Sequence, residues 1–211
     1  MTKIKGRELD LDALVLAHGA HEPDHTFCVL EAVAWVAGEP WSDHPSCASR
    51  VIGAFLRNWN DSMGDADRQM LKPLIPRLVG TAASAKVETK RAWMATDWLA
   101  RVQAPAWFRL ANRIELAESL EGLSELVDAK SATAAQPTLD AARDAAWDAA
   151  RDAARAAARD AARDAAGAAA WAAARDAAWD AAGGALRPTV VTLQRSALEL
   201  VVKMIEVQSA R

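Results

Sequence analysis

Apolar residues recur every three or four positions along most of this chain, which is the spacing of one face of an α-helix. Val51, Phe55 and Trp59 form one such stripe, and a later one includes Leu193 and Leu200. The alternation of apolar and polar residues that is typical of strands is confined to a few positions around Leu9. The pattern therefore predicts an all-α fold.

Breaker residues divide the pattern into separate helices. Thr26 is predicted to cap the first helix and Pro45 to open the second, while Pro73 and Pro76 are expected to disturb the third. The predicted helices cover residues 26–37, 45–59, 66–79, 87–102, 105–110, 114–127 and 188–207.

Residues 140–184 repeat the unit Asp-Ala-Ala-Xaa about eleven times in unbroken phase. Alanine is the strongest helix former, so the repeat predicts a long helix. Four residues overshoot one helical turn by about 40°, so each slot winds around the helix. The substitutions within the repeat compensate for this drift. They place most charges on one side and three tryptophans on the other: Trp147, Trp171 and Trp179.

Four charges violate this two-sided pattern, namely Arg143, Asp160, Asp164 and Arg175. They should border the buried face if the helix is straight and alone. Gly167 is the best position for a fold back into a hairpin, and the sequence leaves both forms open. Asp and Arg three residues apart, as at Asp148 and Arg151, are expected to pair along the surface.

These elements predict four segments. Residues 1–129 form a multi-helix N-terminal domain, and 130–139 form a linker that contains Pro137. Residues 140–184 form the alanine-rich repeat helix, and 185–211 a C-terminal amphipathic helix that follows Gly183 and Gly184.

Composition narrows the function classes. With 211 residues and a net charge of −3, the chain can build a core but lacks the basic surface of a nucleic-acid binder. It shows neither a signal peptide nor an uncharged apolar run of membrane-spanning length, so we expect a cytoplasmic protein with no membrane partner. In that compartment the two cysteines are expected to be thiols or ligands.

All four histidines and both cysteines lie between His18 and Cys47. Imidazole and thiolate are ligands that zinc prefers, and short spacings between ligands are usual. The candidate zinc ligands are His21, His25, Cys28, His44 and Cys47. The competing interpretation is structural: Cys47 continues an apolar stripe as a buried thiol, and His44 caps a helix. On that interpretation the protein has no cofactor.

Cys28 is also the one candidate catalytic residue. It lies near a predicted helix N-terminus, where the helix dipole lowers the pKa of a thiol and favours the nucleophilic thiolate. Its base would have to be a histidine at or before His44. No glycine-rich phosphate loop, Gly-x-Ser-x-Gly or His-Glu-x-x-His motif is present.

The run from Cys28 to Cys47 (CVLEAVAWVAGEPWSDHPSC) and the following Phe55–Asp61 (FLRNWND) resemble a family of hypothetical proteins from actinobacteria and their phages. Leu74–Gly80 and Arg91–Trp98 are similar to that family too, as is the alanine-rich helix, so the resemblance covers most of the chain. It implies an origin and no activity, and it assigns a role to no residue.

The sequence thus favours a non-enzymatic interaction or assembly protein. Its repeat helix would pack through the tryptophan and alanine face on its own domain or on another copy. The alternative is a zinc-binding protein, or a cysteine-dependent hydrolase, centred on the His18–Cys47 cluster.

Overall fold

A computed structural model describes residues 7, 9–19, 26–164 and 168–207; at 153, 156–164 and 168–182 it describes only the backbone. It confirms the all-α fold. The α-helices are α1 Val29–Ala37, α2 Arg50–Ser62, α3 Asp65–Arg68, α4 Ile75–Leu78, α5 Ala85–Trp98, α6 Ala104–Leu110, α7 Ile114–Glu121, α8 Ala129–Asp164 and α9 Ala168–Glu206.

The cap of helix α1 is Cys28, two residues after the predicted Thr26, because Cys28 and Glu31 form a capping box. Cys28 Sγ accepts a hydrogen bond from the Glu31 backbone N–H at 3.4 Å, and Glu31 Oε2 accepts one from the Cys28 N–H at 2.7 Å. This arrangement satisfies two N–H groups that the helix itself leaves unpaired. The helix ends at Gly38, whose φ of 73° is unfavourable for other residues.

Helix α2 starts later than the predicted Pro45. Ser49 is its cap, and Glu88 of α5 supplies a second one. Glu88 Oε2 accepts hydrogen bonds from Ser49 Oγ at 2.8 Å and from the Val51 N–H at 3.0 Å. A carboxylate from a distant element therefore fixes this boundary, and local sequence does not reveal it.

Prolines shape the next two segments differently. Between α3 and α4 the chain forms a 3₁₀ segment at Gln69–Leu74 that contains Pro73, which confirms the expected disturbance. After α5 a π-helical turn spans Leu99–Gln103, and the Ala104 N–H donates to the Leu99 carbonyl five residues back. Pro105 has no N–H to continue the ordinary four-residue ladder, which accounts for the shift in register.

The predicted linker at 130–139 is helical instead, because α8 begins at Ala129 and contains Pro137. Asp128 caps this start: its Oδ1 accepts a hydrogen bond from the Ser131 N–H at 2.7 Å. Good helix formers follow, and the buried Ala135 anchors the segment. The cap and the packing outweigh the hydrogen bond that Pro137 removes.

The predicted break at Gly183 and Gly184 is also absent. Helix α9 continues through both glycines and Pro188 to Glu206, so the repeat and the C-terminal segment share one helix. Gly167, the predicted fold-back position, lies outside the described residues.

The chain divides into two compact units, Met1–Ala95 with Leu198–Arg211, and Thr96–Ala197. In the first unit the buried Arg91 donates to the carbonyls of Met204 at 2.8 Å and Val207 at 3.1 Å, which ties the C-terminal end to the N-terminal helices. In the second, Trp98 Nε1 donates to Ser196 Oγ at 2.8 Å, and Asp97 Oδ1 accepts from the Leu126 N–H at 2.8 Å. The C-terminal residues thus belong to the first unit, which the four-segment division did not predict.

Candidate functional site

Cys28 does not have the low pKa expected of a nucleophile. Its side chain is buried, and burial raises the pKa of the thiol to about 12, with a smaller contribution from the neighbouring Glu31 carboxylate. The backbone N–H groups near the helix start favour the thiolate but do not outweigh this loss of solvation. The expected lowering of the Cys28 pKa is therefore wrong, and the thiol serves as a helix cap.

The structure describes three of the five candidate zinc ligands, namely Cys28, His44 and Cys47. His21 and His25 lie outside the described residues. Among the residues it does describe, no three His, Cys, Asp or Glu side chains are grouped so as to hold a metal ion. Cys28 caps α1, whereas His44 and Cys47 belong to the turn before α2. The five-ligand site stays a prediction.

His44 and Cys47 each have other partners. His44 Nδ1 lies 2.6 Å from Asp43 Oδ1, which is an ordinary exposed hydrogen bond. Burial raises the pKa of the Cys47 thiol, and the negative charge of Glu39 raises it further. The raised pKa disfavours the thiolate form of Cys47.

Glu39 organises the loop between α1 and α2. Its carboxylate accepts hydrogen bonds from the Ser46 N–H at 2.6 Å and from Ser46 Oγ at 2.8 Å. Partial burial raises the pKa of Glu39, but the hydrogen bonds from Ser46 and Cys47 together outweigh it and hold that pKa below its usual value. The loop between α1 and α2 therefore forms a wall that the hydrogen bonds of Glu39 hold in place.

A pocket of about 960 Å³ opens along this wall, and sequence reasoning missed it. The loop at 44–49, the first turns of α2, the turn at 82–83 and the start of α5 line it. Its chemically distinctive residues are His44, Ser46, Arg50, Gly53, Arg57, Glu88 and Thr89. The spacing of Arg50, Gly53 and Arg57 by three and four residues on one helix face was the available signal.

The predicted tryptophan face is described at Trp147, whose exposed fraction is 64%. The side chains of Trp171 and Trp179 lie outside the described residues. Around Trp147 the predicted ion pairs of α8 are confirmed, with Arg143 Nη1 at 3.0 Å from Asp140 Oδ1 and Arg151 Nη1 at 3.6 Å from Asp148 Oδ1. Among the four violating charges only Arg143 has a described side chain. It is exposed and follows the buried Ala142.

The second unit carries further exposed apolar side chains that the sequence did not single out. Trp107 and Leu110 of α6 and Ile114 of α7 are each about two-fifths exposed. Their helix ends are joined by an ion pair in which Arg109 Nη2 lies 2.6 Å from Glu121 Oε2. The Arg109 hydrogen bond lowers the pKa of Glu121.

No protein-family model matches the chain, and no curated protein or solved structure does either. The resemblance to hypothetical proteins of actinobacteria and phages therefore stays a prediction. Among the described helices, none combines the length and the apolarity needed to cross a membrane.

Proposed function

We propose that the protein is a non-enzymatic assembly protein that self-associates through the repeat helix α8. The observation that carries the proposal is Trp147, whose large side chain is 64% exposed in the single chain on a helix of alanines and paired charges. Burying a large apolar side chain contributes about 1.5–3 kcal/mol, and a two-fold contact buries one Trp147 from each copy.

The charge pattern favours a second copy as the partner. The exposed charges on the helix face of Trp147 have both signs, with Asp144 three residues before it and Arg151 four residues after it. In an antiparallel two-fold pair, such a surface can set aspartates of one copy opposite arginines of the other. A partner of one dominant charge would find no matching field on this helix.

The small side chains between the charges favour close contact. Ala150 and Ala154 are exposed on the same helix face as Trp147, and alanine lets two helix axes approach to the short end of the usual range, about 8 Å. Trp147 would then lie across the alanine surface of the other copy. In this proposal the protein acts in the cytoplasm and uses no cofactor.

Light scattering at increasing protein concentration tests the proposal. We expect a mass that rises from monomer to dimer, and Trp147→Ala should shift that transition to higher concentration. The matched control is Trp107→Ala, because Trp107 is also exposed but lies on α6. A constant monomer mass, or equal loss of association in both variants, would overturn the proposal.

A charge exchange tests the choice of partner. Asp144→Arg should weaken association, and so should Arg151→Asp in a second variant, because both residues lie on the helix face of Trp147. Mixing the two variants should restore the dimer, since each then supplies the charges that the other lacks. If the mixture stays monomeric while the wild type dimerises, pairing between copies through these charges is excluded.

A further inference from the structure

The pocket beside α2 is distinct from the proposed assembly surface and has a cationic floor. Arg50, Gly53 and Arg57 lie within about 60° of one another around α2, since steps of three and four residues return to the same helix face. Gly53 has no side chain, so the Arg57 side chain can lie across it, with Nη1 at 3.5 Å from where a Cβ would stand.

A hydrogen bond to the loop before α2 holds the Arg57 side chain in place. Its Nη1 donates to the Asp43 carbonyl at 2.9 Å, and a Cβ built on Gly53 would lie 3.5 Å from the same nitrogen. The guanidinium therefore reaches back toward Arg50. Its other N–H groups do not take part in the hydrogen bond to Asp43 and can donate to a ligand. Ordering this long side chain in advance lowers the entropy cost of binding a ligand.

The acidic group in the pocket does not cancel this charge. Glu88 is committed to Ser49 Oγ, to the Val51 N–H and to Arg91 Nη1, which lies 2.9 Å from Glu88 Oε1. Its side chain is only 16% exposed. Within the described part of the chain, no carboxylate lies within ion-pair distance of Arg50 or Arg57. The pocket thus presents two positive charges to a ligand.

We propose that this pocket binds a small organic phosphate, with Arg50 and Arg57 holding the phosphate group. Guanidinium groups match the oxygens of a phosphate with paired, charge-assisted hydrogen bonds. A phosphate dianion can engage two arginines at once, whereas a single carboxylate carries only one charge. The volume of about 960 Å³ leaves room for an organic body along Pro45, Val51 and the alanines at 82, 83 and 85.

Titration calorimetry of the full chain with AMP and inorganic phosphate tests the site, with adenosine and citrate as comparison probes. We expect AMP to bind, phosphate to compete with it, and adenosine not to bind. Arg57→Met should weaken AMP binding about tenfold or more, because it removes charge-assisted hydrogen bonds. Arg143→Met, an exposed arginine of α8, is the matched control and should bind as the wild type does.

Arg57 also supports the loop through Asp43, so Arg50→Met provides a second variant that tests the same charge from an exposed position. It should fold normally and still bind AMP more weakly. The absence of AMP binding, tighter binding of citrate than of AMP, or equal binding by the wild type and both pocket variants would each overturn the proposal.

Discussion

The N-terminal unit and the repeat helix both carry many charged residues, but they use them in opposite ways. Arg91, Glu31 and Arg68 of the first unit are almost fully buried, and each makes hydrogen bonds to the backbone. The described charges of α8 from Arg143 to Arg155 are exposed and pair along their own helix. A buried charge favours a single packing of the surrounding helices, because any packing that leaves the charge without a partner costs free energy. An exposed ion pair contributes little to stability and leaves its helix surface available for contacts with other molecules.

Removing a buried charge should have the largest effect. Arg91→Met leaves the carbonyls of Thr81, Met204 and Val207 without their donor and breaks the pair with Glu88. We expect the free energy of unfolding to fall by about 3–5 kcal/mol, as for other buried pairs that lose one partner. Urea denaturation followed by circular dichroism measures this loss.

Arg151→Met on α8 is the control for Arg91→Met, since it makes the same chemical change on an exposed surface. At a protein concentration where light scattering shows only monomer, we expect the free energy of unfolding to change by no more than about 0.5 kcal/mol. Similar losses in the two variants would show that burial does not separate the two regions.

The capping box of α1 should give the next largest effect. Glu31→Ala removes the acceptor of the buried Cys28 N–H, and an unsatisfied buried donor costs about 1–3 kcal/mol. Asp128→Ala removes a comparable cap from the exposed start of α8 and should cost about 1 kcal/mol, because water can replace it. Denaturation curves of the two variants compare them directly, and a larger loss for Asp128→Ala would contradict this order.

Local pattern predicted most of the helices, including α6 from its proline and the surface pairs of α8 from their spacing. It failed where distant residues decide. Glu88 sets the start of α2, Arg91 ties the C-terminal end to the first unit, and burial reverses the expected pKa shift of Cys28. The pocket was missed for the same reason, because its wall is a loop held by Glu39. The sequence spacing predicts that Arg50 and Arg57 share a helix face, but it does not predict the loop that encloses that face.

Replacing Gly53 or Gly184 should change the free energy of unfolding less than the variants above. A Cβ at Gly53 would make ordinary contacts with Arg57 and Leu30 at 3.5 and 3.6 Å, and one at Gly184 would meet nothing. Gly53→Ala and Gly184→Ala should therefore both stabilise their helices, by about 0.5–1 kcal/mol. Hydrogen exchange should show global protection for Gly53→Ala and protection limited to neighbouring α9 amides for Gly184→Ala. A loss of stability in Gly53→Ala would show that the floor of the pocket is tighter than its contacts indicate.

The smallest effect should come from the ion pairs of the repeat itself. A double-mutant cycle on Asp148 and Arg151, with each changed to alanine singly and together, isolates their coupling. Because both side chains are exposed, we expect a coupling of about 0.2–0.5 kcal/mol that disappears at high salt. The measurement belongs at a protein concentration where light scattering shows only monomer, since pairing between copies would add to it. A coupling that grows with protein concentration would mean that the same two charges act across the helix pair. A coupling as large as the loss expected for Arg91→Met would remove the contrast between the two regions.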